Sequence, residues 1–262
     1  MEHSHLGHIA REETMSTLPM ERKMTDIHMH LIPGVDDGAE NMDMALVMMI
    51  RAMDHGISQI IATPHSEAFH DSDEHGKRLF NRLVDAAAMV FPDMKLYLGC
   101  EVYCEPGMMN EVMEALRSGQ YPTMNGTKYV LMEFSQWVYP ENTVPCVKEL
   151  ITAGYKPIIA HMERYNQLRD RMDLVDQLRE LGAQIQLNIY SLYDEMDDST
   201  RNWARQLVQE RKVDFLGTDA HRTYHRPPSA QMGLNWLYEN VDQAYADAIA
   251  WENARKLLGS TI

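Results

Sequence analysis

Cysteine, basic charge and long apolar runs are scarce in this 262-residue chain, and each scarcity removes a class of explanation. Its three cysteines, Cys100, Cys104 and Cys146, make no paired disulfide framework and suit a reducing cytoplasm. Lysine and arginine number 24 against 39 aspartates and glutamates, a formal net charge of −15. A nucleic-acid backbone is therefore not the expected main partner, because phosphate tracking needs a basic face. No run approaches the roughly 18 apolar residues of a membrane-spanning helix. Residues 1–23 are polar and lack the apolar stretch of a signal peptide. No His-Glu-x-x-His run of the zinc-protease kind is present.

What is present is a chain long enough for one large core. Residues 1–23 are expected to be a flexible extension, so His3, His5 and His8 within it make a poor fixed site. Residues 24–262 are expected to form a single domain. Short β-rich apolar runs at 26–31, 57–63, 95–103, 129–135, 156–161, 184–189 and 213–218 alternate with helical patterns. The helices are expected near 41–55, 73–90, 107–118, 141–153, 167–181, 199–211, 229–239 and 243–258. Asn41 is the expected N-cap of the first, Gly56 its terminator, and Met44, Leu46, Val47, Ile50 and Met53 its apolar residues. Of the 21 methionines, residues such as Met44, Met48, Met49 and Met53 are expected to fill such helix faces, with a Met-lined cofactor or copper site as the alternative. Strand–helix repetition of this kind predicts an α/β fold with a parallel sheet, best closed as a TIM-like (β/α)7 barrel, with an open doubly wound sheet as the alternative.

The chain is organised around Asp26-Ile-His28-Met-His30-Leu-Ile-Pro-Gly-Val-Asp36-Asp37-Gly38. Residues two apart in a strand share a face, so His28 and His30 present both imidazoles to one point. Further polar groups stand at other strand ends: His65 after Ala-Thr-Pro, Glu101 after Gly-Cys, Glu133 inside an apolar strand, His161 after Ile-Ile-Ala, and Asp219 and His221 after Gly-Thr. An unpaired carboxylate in an apolar strand is costly, so Glu133 needs a partner. Parallel barrels gather the C-terminal ends of their strands at one mouth. There His28, His30, Asp37, His65, Glu101, Glu133, His161, Asp219 and His221 would supply nine N/O donors, more than one ion needs. Such a set suits zinc, manganese or iron rather than a thiolate-rich structural site.

Together these motifs, with Met-Glu-Arg164-Tyr after His161 and Arg226-Pro-Pro after His221, resemble the metal-dependent protein-tyrosine phosphatases of the polymerase-and-histidinol-phosphatase (PHP) superfamily, the type of capsule and exopolysaccharide biosynthesis. The resemblance spans residues 26 to about 228. It implies a distorted barrel holding three divalent ions, usually Mn2+, with Zn2+ or Fe as alternatives. His28, His30, Glu101 and Asp219 would hold one ion; Glu101, Glu133 and His161 a second; Asp37, His65 and His221 the third. Asp36 and Asp37 remain interchangeable at this stage. Arg164 and Arg226 match the family's substrate-facing arginines and would bind the phosphoryl group during catalysis. The sequence departs from the commoner pattern at Met162, where proline is frequent, and at Arg222, where asparagine is frequent.

Three divalent ions would outweigh the carboxylates of Asp37, Glu101, Glu133 and Asp219, giving a positive mouth on an acidic protein that attracts a phosphate dianion. The implied activity is phosphotyrosine hydrolysis by a metal-bridging hydroxide in the cytoplasm. The implied substrate is a phosphotyrosine protein, a bacterial tyrosine autokinase tail. The alternatives are a small-molecule phosphomonoesterase of the histidinol-phosphatase kind and a non-catalytic metal- or phosphotyrosine-binding regulator. Thiol-based tyrosine phosphatases need Cys followed six residues later by Arg, whereas Pro106, Asn110 and Thr152 stand there. Tyr165, Tyr190 and Tyr193 are expected to pack in the core or at the surface, with stacking on an aromatic substrate as the alternative. His70, Asp71 and His75 read as a solvated loop or an entrance, and Gly34 and Gly38 as turn residues.

Overall fold

The structure, a computed structural model, describes residues 24–70, 74–193 and 197–259. The expected extension at 1–23 and Asp71 lie outside the described residues.

Parallel strands alternate with helices as the hydrophobic pattern predicts. The strands are β1 (Met24–Met29), β2 (Ile57–Ala62), β3 (Lys95–Leu98), β4 (Glu101–Tyr103), β5 (Tyr129–Glu133), β6 (Lys156–Ile159), β7 (Gln184–Asn188) and β8 (Phe215–Gly217). Between and after them lie α1 (Met42–Asp54), α2 (His75–Val90), α3 (Met109–Ser118), α4 (Pro140–Thr152), α5 (Met172–Leu181), α6 (Asp198–Gln209) and α7 (Gln231–Asn240). The helix expected at 243–258 is broken into α8 (Gln243–Asp247), a wider π turn and α9 (Arg255–Leu258).

The strand expected at 95–103 is in fact two. β3 pairs with β2 in a sheet ordered β1-β2-β3, while β4 opens a second sheet ordered β4-β5-β6-β7-β8. The break falls at Gly99, where a side chain would press on Met124 Sδ and Thr63 Cγ2 at 3.0 Å. Gly99 N still donates to Ala62 O, but Glu101 N donates to Pro64 O, so the chain leaves one sheet as it enters the other. The two sheets join through isolated parallel bridges, His65 to Glu101 and Met29 to Ala220. Both seams run through candidate site residues. This closure is the distortion of the barrel, and it brings the ends of β1, β2, β4 and β8 to one mouth.

Helix α1 starts and stops as its punctuation predicts: Asn41 Oδ1 accepts from Met44 N at 3.0 Å, and Gly56 has a φ of +81°. Its buried face agrees with the expected one at Met48 and Met49 and departs from it elsewhere. Ala45, Met48, Met49 and Ala52 are buried, whereas Val47, Ile50 and Met53 are each more than 40% exposed. Two alanines at the contact let the helix approach the sheet closely, which larger residues would prevent. Among the described residues no helix is long and apolar enough to cross a membrane.

Candidate metal centre

Residues of β1 start the site. Ile27 and Met29 point into apolar packing, so His28 and His30 share the opposite face, both fully buried. Their Nε2 atoms lie 3.3 Å apart. Each Nδ1 is already committed. Gln186 Oε1 lies 3.1 Å from His28 Nδ1 and also accepts from the backbone N–H of His161 at 2.8 Å, which makes it the oxygen and His28 Nδ1 the donor. Asp36 Oδ2 accepts from His30 Nδ1 at 2.8 Å. In His221, Nδ1 donates to the carbonyl of Asp219 at 2.8 Å. All three imidazoles therefore turn Nε2 inward, the atom left for a metal or a proton.

Glu101, on β4, stands at the centre of these rings. Its Oε1 lies 3.1 Å from His28 Nε2 and 2.9 Å from His161 Nε2, and its Oε2 lies 3.2 Å from His30 Nε2 and 3.1 Å from His65 Nδ1. Glu133 finds the partners its apolar strand demanded, at 3.5 Å from His161 Nε2 and 3.6 Å from His65 Nδ1. Asp37 approaches His221 Nε2 at 3.2 Å and His65 Nε2 at 3.6 Å. Asp219 divides its oxygens: Oδ1 lies 3.5–3.6 Å from His28, His30 and His221, and Oδ2 accepts from Arg164, Arg226 and Asn188 at 2.7, 2.9 and 3.0 Å. All nine expected donors and both arginines meet at one place.

The adjacent aspartates separate by geometry. The Asp36 side chain is buried and accepts from His30 Nδ1, His65 N and Gly38 N. Asp37 is 61% exposed and faces His65 and His221. Gly34 is a turn residue with φ +70°, whereas Gly38 is needed for close approach, because a side chain there would strike the backbone oxygen and Cβ of His30.

Three sets of donors have atoms within 4.8 Å of one another: His30, Asp37, His65 and His221; His28, His30 and Glu101; and His65, Glu101 and Glu133. The grouping differs from the expected partition in sharing His30 and His65 between sets and in taking in neither His161 nor Asp219. The donors fit hard or borderline divalent ions. Two imidazole Nε2 atoms 3.3 Å apart need a proton or a cation between them, and the buried His221 Nε2 has no hydrogen-bond partner, only the Asp37 carboxylate 3.2 Å away.

Electrostatics agree. Burial opposes a charge on His30 and His161, but Asp36 with Asp219 and Glu101 override it at His30 and hold it well above the usual histidine range. Glu101 and Glu133 push His161 up to about 10. His221 goes the other way, to about 3, because burial and then the neighbouring His30 disfavour its charge. Burial works against ionised Glu101 too, yet His28, His161 and His30 hold it well below the ordinary carboxylate range. Metal uptake is therefore expected to displace protons from His30 and His161. Affinity is expected to fall as the pH drops from 8 to 6, with proton release on metal uptake in weak buffer. Titration of metal-stripped protein at both pH values checks this; equal affinity and no proton release would contradict it.

β7, the strand that promised no charged donor, supplies amides instead. Gln186 Nε2 donates to Asn188 Oδ1 at 2.9 Å, and Asn188 Nδ2 donates to Asp219 Oδ2. The signal was legible, since Gln184-Ile-Gln186-Leu-Asn188 alternates with period two and turns both amides to one face. Asp26 was also missed: fully buried, it accepts from Thr218 N at 2.9 Å and His28 N at 3.1 Å, tying β1 to the segment that carries Asp219. His161, Asp219 and Arg226 all adopt positive φ (30°, 50° and 48°), a conformation held only where the surroundings dictate it.

Beside Arg164 and Arg226 opens a cavity of about 620 Å3, lined also by Tyr190, Tyr193, Tyr224 and Ser229. Tyr165 is core, its hydroxyl accepting from Phe134 N. His70 lies on the surface against Tyr121, and His75 opens α2.

The chain matches a family model described as capsular polysaccharide synthesis, CpsB/CapC, over residues 24–259. It is 26% identical over 242 residues to the tyrosine-protein phosphatase CpsB of Streptococcus agalactiae serotype III (strain NEM316), covering 90% of this chain and 98% of that protein. It is 29% identical over 245 residues to the tyrosine-protein phosphatase YwqE of Bacillus subtilis (strain 168), covering 90% and 91%. Among solved structures, one chain from the crystal structures of YwqE from Bacillus subtilis and CpsB from Streptococcus pneumoniae, described as unique metal-dependent tyrosine phosphatases, superposes with a TM-score of 0.81 at 27% identity, covering 91% of this chain and 96% of that one. A phosphotriesterase homology protein from Escherichia coli, at 12% identity and a TM-score of 0.61 over 90% of this chain and 99% of that one, shares the fold alone.

Proposed function

Since the chain belongs to the CpsB/CapC family of capsular polysaccharide synthesis, we propose that it is a metal-dependent phosphotyrosine-protein phosphatase using the His/Asp/Glu cluster at the barrel mouth. The observation that carries this reading is the ring of four histidines around Glu101 beside two arginines on Asp219. The three donor groupings support three divalent ions, and their mixed imidazole and carboxylate chemistry accommodates manganese. The family's place in capsule synthesis supports a tyrosine autokinase of that process as the substrate, and three free buried cysteines suit the cytoplasm. On this reading residues 24–262 act as one catalytic domain.

The metals' chemistry would be Lewis-acid polarisation of the phosphoryl oxygens and acidification of the attacking water. His28, His30, Asp37, His65, Glu101, Glu133, His161, Asp219 and His221 would hold them. Arg164 and Arg226, now bonded to Asp219 Oδ2, stand where planar guanidinium groups clamp non-bridging oxygens. Gln186 and Asp36 keep the Nδ1 protons of His28 and His30 away from the reacting centre. In the hydrolysis, water oxygen bonds to phosphorus, the bond from phosphorus to the tyrosine oxygen breaks, and the phenolate takes up a proton. Its pKa near 10 makes that departure less dependent on an acid than loss of an alkoxide.

A single assay tests the reading: turnover of a phosphotyrosine peptide, histidinol phosphate and single-stranded DNA, with Mn2+ or EDTA. Peptide turnover that needs Mn2+ and vanishes with EDTA is expected. Equal rates with EDTA would sink the metal mechanism, and preference for histidinol phosphate would replace the substrate.

A further inference from the structure

The cavity beside the arginine pair is built of more than the two groups that a phosphate needs. Tyr190, its hydroxyl accepting from Asn188 Nδ2 at 3.4 Å, is nearly buried at the inner end. Tyr193 is held through its hydroxyl, 3.0 Å from Ser229 Oγ. Tyr224 is 69% exposed yet braced: Arg222 Nη1 donates to its hydroxyl at 3.1 Å. The same guanidinium bonds Glu40, and its Nε donates to the carbonyl of Asp37 at 3.3 Å. Arg51 bonds the carbonyl of Thr223, the residue before Tyr224. A tyrosine this exposed normally samples several rotamers, and ordering it costs entropy, so a brace lowers what a ligand must supply. Arg222 thus joins the loop that carries Asp37 to the loop that carries Tyr224 and Arg226.

We propose that Tyr193 and Tyr224, braced by Ser229 and Arg222, are the specificity-determining walls that admit an aryl phosphate in preference to an alkyl one. The inference rests on the phosphatase reading above and deepens it. With phosphate at Arg164 and Arg226, a phenyl ring attached to it enters the cavity between tyrosine faces and gains stacking or edge contacts unavailable to a short alkyl chain. Such contacts correspond to roughly threefold to tenfold in affinity per ring. Arg222 touches no ligand in this scheme. It is a positioning residue acting through Tyr224.

Calorimetric binding of phenylphosphonate and methylphosphonate to the metal-loaded protein tests this without turnover. Tyr193→Leu and Tyr224→Leu are each expected to lower the phenyl-to-methyl affinity ratio about fivefold. Tyr193→Phe, which keeps the ring, is expected to retain most of it and guards against misfolding of the leucine variant. Arg222→Ala is expected to lower the ratio about threefold alone but not at all in the Tyr224→Leu background. Ratios unchanged in both tyrosine variants overturn the walls, and an undiminished effect of Arg222→Ala in the double variant overturns the strut. If the wild type turns over a phosphotyrosine peptide while the ratios stay flat, only this inference fails. If it neither turns over the peptide nor binds phenylphosphonate, the phosphatase reading fails and the walls with it.

Discussion

Replacing Glu101 with glutamine is expected to lower phosphotyrosine turnover by well over about 100-fold and to strip most bound metal, the largest effect of any single change in this protein. Even residues that only orient a ligand cost about 10–100-fold in affinity or activity. Glu101 contacts four histidines through two oxygens, so its loss reaches every donor set that shares them. Glutamine preserves the shape but removes the charge and turns an amide nitrogen toward imidazole nitrogens. In the metal-free protein the folded-state pKa of Glu101 is depressed, so its stabilising contribution is present above the ordinary value of 4.5 and lost as pH falls below it. Truncating one partner of a buried charge network costs about 3–5 kcal/mol. Metal analysis, kcat/KM and thermal unfolding of the metal-free variant check these three effects together. Full metal content with normal turnover would show that Glu101 is not central.

Arg164→Ala and Arg226→Ala are each expected to reduce kcat/KM for a phosphotyrosine peptide by about 100- to 1000-fold while metal content stays near that of the wild type. Retained metal separates this outcome from that of Glu101→Gln. The arginines share one oxygen of Asp219, so the double variant is expected to lose less than the product of the single losses. Lysine at either position keeps the charge but not the planar fork, and an intermediate rate is expected. Arg164 lies in a tight turn after β6, and Arg226 is itself held at positive φ. Peptide kinetics with metal analysis on the same preparations decide the matter, and a loss of metal matching the loss of rate would assign the arginines to the metal sites instead.

Much of this site was legible before any coordinates, for local reasons. A His-x-His on a strand must put both rings on one face, and the polar residues that end strands of a parallel barrel must meet at one mouth. Glu133 announced itself because a carboxylate in Tyr129–Glu133 has no apolar use. Gln186 and Asn188 carried the same period-two signal but lack charge, so they read as ordinary strand residues. The face of α1 was legible at Met48 and Met49 but misled elsewhere, because its larger apolar residues Val47 and Ile50 lie outward while Ala45 and Ala52 are buried. Side-chain size ranks candidates for burial, but the distance to the sheet selects among them.

Periodicity, punctuation and residue chemistry in the sequence alone determined the α/β repeat and eight of the nine candidate donors, leaving Asp36 and Asp37 interchangeable, because each depends on neighbours a few residues away. The two arginines were marked only by the resemblance to the family. Tertiary structure alone decided how those donors are shared. Gly99 lets one apparent strand cross between two sheets, which turns Glu101 into the centre and closes the barrel through His65 and Met29. The choice between Asp36 and Asp37 depended on Gly38 folding against His30, and the brace on Tyr224 on an arginine reaching a loop about 180 residues away in sequence. Contacts of that range leave no trace in local spacing, because their geometry is set only when the sheet edges meet.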